Sequence, residues 1–132
     1  MTAEDVKKLL GLHPHPREGG CYVRTYEAAE TVAAAAFEDG RYPSRRRTGT
    51  AIYYLLEPDT FSEMHRLKSD EVFHFYAGDV VEMLQLTGSN KGVRVLIGND
   101  LLNETGCGLH FFHNMMGPQL KIKIGPIKTK TV

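Results

Sequence analysis

The sequence predicts a mainly β domain, an antiparallel barrel or sandwich of short strands preceded by one short helix. From Thr48 onward, short runs rich in β-branched and aromatic residues alternate with turn segments, at a spacing of about ten residues. The chain of 132 residues is long enough to bury about two-thirds of its unfolded surface around one core. We therefore expect a single domain that extends over residues 1–132.

The first predicted element is a helix between Thr2 and Gly11. Thr2 is a suitable N-cap, acidic residues follow it in the first turn, and a glycine ends the apolar stripe. Residues 13–20, HPHPREGG, contain two prolines and two glycines and predict a loop. Residues 21–27, CYVRTYE, alternate and are rich in aromatic and β-branched side chains, which indicates a strand.

The next segment gives a less regular pattern. Residues 27–40, EAAETVAAAAFEDG, have the high helix propensity of alanine, and a mobile insertion is the alternative interpretation. Residues 41–47, RYPSRRR, predict an exposed basic loop. The segment therefore separates the first strand from the strands that follow.

The remaining predicted strands differ in the faces that they bury. They cover residues 48–56, 61–67, 71–78, 79–86, 93–98 and 120–124. The first of them is apolar on both faces, as in a strand that is covered on both sides. The second and third are joined by only three residues and predict a hairpin. The last, LKIKI, alternates apolar residues with lysine, a pattern that also protects sheet edges.

The overall composition excludes several classes of partner. Sixteen basic and sixteen acidic side chains cancel, so the chain has no excess positive charge to attract nucleic acid. No apolar run reaches the roughly 20 residues that cross a bilayer, and the N-terminus lacks the apolar stretch of a signal peptide. We therefore expect a cytoplasmic protein with no membrane partner, in which Cys21 and Cys107 are reduced thiols.

Four blocks of the sequence resemble the cupin superfamily, and specifically its type-five group, a domain of unknown function. The blocks are PHPREGGCYVRTYE, TAIYYLL, SEMHRLKSDEVFHFYAGD and VLIGNDLL, in this order, within residues 9–104. The resemblance implies a cupin jelly-roll barrel, which is usually dimeric and carries a pocket inside the barrel. Strand 50–56 is apolar on both faces, whereas a monomeric barrel needs only one apolar face, so we expect its second face to be buried in a two-fold dimer.

The sequence departs from the family pattern at two places. The entry block has an additional Arg17, and Cys21 replaces a common aromatic residue. After residue 104 the second cupin motif is not recognisable, so residues 105–132 form a divergent tail and the C-terminal part of the barrel is expected to be incomplete. An incomplete wall predicts an exposed apolar patch.

The block at residues 62–79 supplies the main candidate site residues. Side chains alternate along a strand, so Glu63 and His65 share one face, and Glu71 shares the face of Phe73 on the next strand. His65 and Glu71 are the catalytic candidates, with His65 as base and Glu71 adjusting its pKa. The alternative is structural: His65 is hydrogen-bonded within the core, and Glu71 pairs with an arginine, either Arg66 or Arg24.

Further residues complete the predicted binding site, to which no metal ligand is assigned. The ligand-binding candidates are Tyr22, Arg24, Tyr53, Glu63, Phe73 and Phe75. His74 points away from this face, and the histidines of the entry block are interpreted as loop residues. A zinc or iron site needs at least three protein ligands, so no metal ligand is assigned. A divalent metal held with the help of His110 and His113 is the alternative.

These observations favour a protein that binds a small polar metabolite, sugar-like in character, in the pocket of a homodimer. One alternative is an epimerase- or isomerase-like enzyme that uses His65 as base, because sugar-nucleotide epimerases of the same fold use a histidine in this way. A second alternative is a truncated variant without a ligand function.

Overall fold

In the computed structural model of the chain, the described residues are 1–37, 40–66, 68–86, 92–98, 109–112 and 121–126, with the backbone alone for the last two ranges. The chain forms two compact units. The first contains residues 1–15 and 21–55, and the second contains residues 16–20 and 56–132. The predicted mainly β class is confirmed, since one α-helix and one short 3₁₀ turn accompany eleven strands within the described residues.

The N-terminal helix of the first unit, α1 (Ala3–Leu10), has the predicted ends. The backbone N–H of Asp5 donates to the Thr2 hydroxyl at 3.2 Å, and the Asp5 carboxylate accepts from the Thr2 N–H at 2.8 Å. This reciprocal pair satisfies two N–H groups that have no partner within the helix. Gly11 ends the helix with φ +65°, a left-handed conformation that favours glycine.

The first unit contains a three-stranded antiparallel sheet. Its strands are β1 (His13–Pro14), β2 (Cys21–Glu27) and β5 (Thr50–Leu55), in the order β1-β2-β5. The loop prediction for residues 13–20 is therefore wrong for its first two residues. His13 is the register partner of Tyr22, and the edge position tolerates the proline that follows.

A second, two-stranded sheet replaces the helix predicted for residues 27–40. It pairs β3 (Thr31–Val32) with β4 (Arg46–Arg47), and a single 3₁₀ turn covers Ala34–Ala36. The alanine propensity is outweighed because the backbone of residues 28–32 bonds to residues 46–49 instead. Thr48 N–H donates to the carbonyl oxygen of Glu30 at 3.1 Å, for example. The basic loop predicted for residues 41–47 thus ends in a strand.

The second unit contains the remaining strands. They are β6 (Ser62–Arg66), β7 (Glu71–His74), β8 (Val81–Leu86), β9 (Gly92–Ile97), β10 (Leu109–Phe112) and β11 (Lys121–Pro126). One antiparallel sheet has the order β6-β11-β8-β9, and a smaller one pairs β10 with β7. The pairings among the described residues do not close into a ring of strands.

Two sequence predictions are wrong in this unit. Strands β6 and β7 were predicted to form a hairpin, but β6 pairs with β11 and β7 pairs with β10. Residues 68–70 therefore carry the chain from one sheet to another. The C-terminal strand is close to its predicted position but is not an edge strand, because β11 pairs with β6 on one side and with β8 on the other.

The core of the second unit is built around Met83 and Ile97, which are 0% and 3% exposed. Partly buried apolar residues pack against this pair: Leu56, Phe73, Phe75, Val81 and Val95. The exposed patch predicted for the divergent tail concerns side chains outside the described residues and stays a prediction. Among the described residues, no helix has the length and apolar character needed to pass through a membrane.

A close backbone approach in the second unit depends on Gly19. This residue has φ +81°, and a Cβ atom at this position would collide with the carbonyl oxygen of Phe61. Beside this contact, Glu63 N–H donates to the Glu18 carbonyl oxygen at 2.6 Å. Only glycine permits both the conformation and the contact, so Gly19 fixes residues 16–20 against the start of β6.

We predict that Gly19→Ala lowers the free energy of unfolding by roughly 2–4 kcal/mol, because a left-handed penalty of about 1 kcal/mol adds to a steric collision. Gly11→Ala is the matched control, since Gly11 has φ +65° but open space where its Cβ would lie. The control substitution is expected to lower the free energy of unfolding by only about 1 kcal/mol. Urea denaturation measures both values, and equal losses in the two variants would contradict the close approach at Gly19.

Candidate functional site

His65 is the central side chain of the candidate site. It lies in β6, and its side chain is 25% exposed. Its Nδ1 atom is 2.8 Å from the carbonyl oxygen of Glu63. A carbonyl oxygen only accepts hydrogen bonds, so Nδ1 must carry the proton. The neutral imidazole therefore has its lone pair on Nε2, the atom that can accept a proton or a hydrogen bond from a ligand.

Glu18 provides a carboxylate beside that lone pair. Its Oε2 atom is 3.9 Å from the Nε2 atom of His65. The Gly19 turn and the hydrogen bond from Glu63 N–H to the Glu18 carbonyl oxygen hold this residue against β6. The sequence analysis missed Glu18, since it lies outside every strand and side-chain alternation gives no information there. Its position directly before two glycines was interpreted as turn structure alone.

Glu71, the first residue of β7, carries the second carboxyl group of the cluster. Burial raises the pKa of this carboxyl group above its ordinary value of 4.5, and the negative charge of Glu18 raises the pKa further. The charge of His65 lowers it and only partly offsets these effects. Glu71 is exposed as a whole residue, so solvent screens part of this effect.

The other predicted residues of this unit have different roles. Phe73 and Phe75 are half-buried and pack on the Met83 core, which makes them part of the wall next to Glu71. His74 is exposed and stacks on Tyr76, as its outward direction predicted.

Glu63 contributes to the site through its backbone, because its N–H binds Glu18 and its carbonyl oxygen binds His65. The Glu63 residue itself is exposed, and no contact places its carboxylate at the Nε2 atom of His65. The role of the Glu63 side chain in ligand binding stays a prediction.

Three predicted ligand residues belong to the first unit. Tyr22 contacts the rings of His13 and His15, with centroid distances of 4.6 and 4.7 Å. The guanidinium of Arg24 pairs with the Glu27 carboxylate at 3.0 Å, so it has an acidic partner within its own unit. Tyr53 is the register partner of Val23, so it lies on the opposite sheet face from Tyr22.

The alternative of a bound divalent metal stays a prediction. No group of three or more histidine, cysteine, aspartate or glutamate side chains in the described part of the chain is arranged to hold a metal ion. One imidazole and two carboxylates are a thin donor set for zinc or iron. Of the two alternative ligands, His110 is the register partner of Phe73, and His113 lies outside the described residues.

The arrangement is suited to moving a proton. It combines an imidazole nitrogen with a free lone pair and a carboxyl group whose raised pKa keeps it protonated to a higher pH than usual. Proteins give neighbouring titratable groups different pKa values by placing them in different surroundings, so that one group acts as base and the other as acid. The same groups also offer hydrogen-bond acceptors to the hydroxyl groups of a ligand.

Comparison with known proteins agrees with this architecture. The family model described as "Cupin superfamily (DUF985)" matches residues 4–114. A solved structure of a hypothetical protein from Leishmania major is similar with a TM-score of 0.79 and 27% sequence identity, over 99% of this chain and 73% of that chain. A structure from Shewanella oneidensis has a TM-score of 0.68 and 27% identity, over 98% of this chain and 80% of that chain. No curated protein matches the sequence.

The raised pKa of Glu71 predicts a specific dependence of stability on pH. The folded state holds the Glu71 proton more tightly than the unfolded chain, so folding is favoured below pH 4.5 and loses stability as pH rises through the raised pKa. We predict that Glu71→Gln removes this loss, so that the variant gains stability relative to the unmodified protein as pH increases. Denaturation at several pH values measures the difference.

Glu27→Gln is the control with the opposite sign. Hydrogen bonds from Arg47 and Arg24 lower the pKa of Glu27, so the unmodified protein should gain stability over this variant as pH rises through the lowered pKa. The same slope for both variants would show that the carboxyl group of Glu71 is not desolvated.

Proposed function

Because the chain belongs to the cupin superfamily, we propose that it binds a small, uncharged, polar metabolite of sugar-like character at Glu18, His65 and Glu71. One observation carries the proposal. The Nδ1–H group of His65 is bound by a backbone carbonyl, so its Nε2 lone pair faces the carboxylate of Glu18 with no proton between them in the neutral state. A ligand hydroxyl can fill this place by donating to either acceptor.

The charges near His65 favour an uncharged ligand over a phosphorylated one. Glu18 is close enough to His65 for an ion pair, and the effect of Glu18 on the pKa of Glu71 indicates that the two carboxyl groups are near each other. A phosphate or carboxylate of the ligand next to Nε2 would be repelled by the Glu18 carboxylate. A polyol hydroxyl instead supplies donors to the acceptors that are present. The aromatic rings of Phe73 and Phe75 offer an apolar wall on the Glu71 side.

A second candidate function, an epimerase- or isomerase-like reaction, is favoured by the separation of base and acid. The Nε2 atom of His65 would take a proton from a carbon next to a carbonyl group, and the electron pair would move to the carbonyl oxygen. The Glu71 carboxyl group, whose pKa is raised by burial, would give its proton to that oxygen when it is in its protonated form. The protonated imidazole then returns a proton to the carbon while the enol oxygen gives its proton back to Glu71, so the carbonyl group re-forms and no external oxidant or reductant is needed.

We also propose that the protein is a cytoplasmic homodimer. Ile52 of β5 is 46% exposed and Tyr26 of β2 is 58% exposed, so apolar side chains of the first unit remain open to solvent. A two-fold contact through the face of this sheet that carries Ile52 would cover that side chain. The reduced thiol of Cys21 is consistent with a reducing compartment.

We expect light scattering at micromolar concentration to report the mass of two chains, and a monomer would contradict the dimer.

The proposed ligand site predicts that His65→Ala abolishes stabilisation by ligands and leaves folding nearly intact. The probes are a panel of neutral monosaccharides and polyols, each tested by thermal denaturation. A ligand at about one hundred times its Kd stabilises the native state by about 2.7 kcal/mol. His74→Ala, which changes an exposed histidine on the other side of the next strand, should keep this stabilisation.

Two outcomes decide between the interpretations. Unchanged ligand stabilisation in His65→Ala would contradict the site, and a loss of several kcal/mol of unfolding free energy without ligand would make His65 a structural residue.

For the second candidate, incorporation of deuterium from D2O into a bound sugar, read by NMR, would establish proton transfer. Binding without deuterium incorporation would leave a binding protein without turnover.

A further inference from the structure

The basic segment at residues 41–47 has no part in the proposed ligand site. It holds four of the chain's 16 basic side chains within seven residues, in a protein whose formal net charge is +0. The sequence pattern alone predicts an exposed loop. In the structure, Arg41 and Arg46 lie over the ring of Tyr42, and Arg45 directly precedes Arg46 in the chain. We call Arg41, Tyr42, Arg45 and Arg46 the arginine platform.

Tyr42 forms the base of the arginine platform. It is 9% exposed, and its ring meets the ring of Phe37 edge to face, with centroids 4.9 Å apart. The guanidinium carbon of Arg46 lies 4.9 Å from the Tyr42 ring centroid, and that of Arg41 lies 5.6 Å from the same centroid. Two like charges are therefore gathered at one ring, whose electron-rich face offsets part of their repulsion.

The backbone fixes the position of Arg46 on this ring. Arg46 belongs to β4 and is the register partner of Val32 in β3. The next residue, Arg47, donates to the Glu27 carboxylate and to the Ala29 carbonyl oxygen, both at 2.9 Å. These contacts hold the strand that presents Arg46, so the platform is a built feature and not a freely moving turn.

The charge of Arg47 is neutralised by an acidic side chain, in contrast to the charges of its neighbours Arg45 and Arg46. Its guanidinium shares the Glu27 carboxylate with Arg24, and the two arginines together lower the pKa of Glu27. Arg45 and Arg46 are exposed and form no ion pair with an acidic side chain in the described part of the chain. Arg45 and Arg46 therefore present positive charge at the surface.

The chemistry of a stacked guanidinium determines what it can recognise. The ring contacts one face of the group, and the planar N–H donors remain available at its edge. Because stacking already restricts the side chain, less conformational entropy is lost when two of these donors bind one carboxylate. Charge-assisted, bidentate pairs of this kind are about twice as strong as neutral hydrogen bonds.

We propose that the arginine platform is a docking surface for an acidic segment of a partner protein, whose aspartate or glutamate carboxylates pair with Arg45 and Arg46. Exposure at the surface favours a segment with several carboxylates over a single small anion, because successive pairs act together. Nucleic acid is disfavoured because the rest of the chain supplies no excess of positive charge along which a phosphate backbone could run.

The test measures binding of a fluorescein-labelled octapeptide of alternating glutamate and serine by fluorescence anisotropy. We expect binding at low salt that weakens as ionic strength approaches about 0.15 M, because exposed charges are screened. The double variant Arg45→Gln/Arg46→Gln should weaken binding at least about tenfold, which corresponds to about 1.4 kcal/mol. Arg94→Gln is the matched control, since it removes an exposed arginine of the second unit that pairs with Glu82, and it should change Kd less than about twofold.

A conservative variant separates geometry from charge. Arg46→Lys keeps the positive charge but removes the planar donors and most of the stacking on Tyr42, so binding should weaken about fivefold. Circular dichroism melts of each variant establish that the fold is retained, which is expected because both arginines are exposed.

Several results would overturn the proposal. These are absence of peptide binding at low salt, an equal loss of affinity in Arg94→Gln, and full affinity in Arg46→Lys. The octapeptide with glutamine in place of glutamate must also fail to bind, since its binding would mean that carboxylates are not recognised. A single-stranded DNA octamer that binds more tightly than the acidic peptide would assign the platform to nucleic acid instead.

Discussion

The candidate site depends on the close backbone approach between the Gly19 turn and the start of β6. Glycine is needed because a Cβ atom would collide with the Phe61 carbonyl oxygen, and the left-handed conformation disfavours other residues. The approach brings the Glu18 peptide group within hydrogen-bonding distance of Glu63 N–H. Without this contact, the Glu18 carboxylate would have no fixed position relative to His65.

The peptide groups of Glu63 link this turn to the chemistry of the site. Its N–H positions Glu18, and its carbonyl oxygen binds the Nδ1–H group of His65. One residue therefore sets both the location of a carboxylate and the tautomer of the imidazole. The result is a nitrogen lone pair beside the Glu18 carboxylate, and burial together with the charge of Glu18 raises the pKa of the Glu71 carboxyl group. This combination supports ligand binding through hydroxyl groups and also supports proton transfer.

The features that follow from local sequence were predictable, and those that depend on tertiary contact were not. The ends of α1 follow from Thr2 and Gly11, and alternation alone places His74 on the outer face of β7. The β6–β7 hairpin was wrong because the partners of these strands, β11 and β10, lie far away in the sequence. Likewise, the composition of the alanine-rich segment 27–40 gives no signal for the pairing of β3 with β4.

Within the site, His65 and Glu71 could be selected from the sequence because they fall in one recognisable block. Glu18 could not be selected in this way, because its role arises only when Gly19 approaches Phe61. The sequence also suggested a role for the Glu63 side chain, whereas the backbone of that residue makes the observed contacts. Peptide groups carry no sequence signature, so a pattern of side chains cannot identify them.

The most direct test of this account is the tautomer of His65, determined by ¹⁵N NMR of the imidazole nitrogens in the intact protein above the pH at which the ring is protonated. The account predicts a protonated Nδ1 and an unprotonated Nε2, because the Glu63 carbonyl oxygen accepts a hydrogen bond from Nδ1. A His65→Gln variant assigns the signals by their loss. A neutral ring that carries its proton on Nε2 would contradict the account, since the lone pair would then face the Glu63 backbone and not the ligand site.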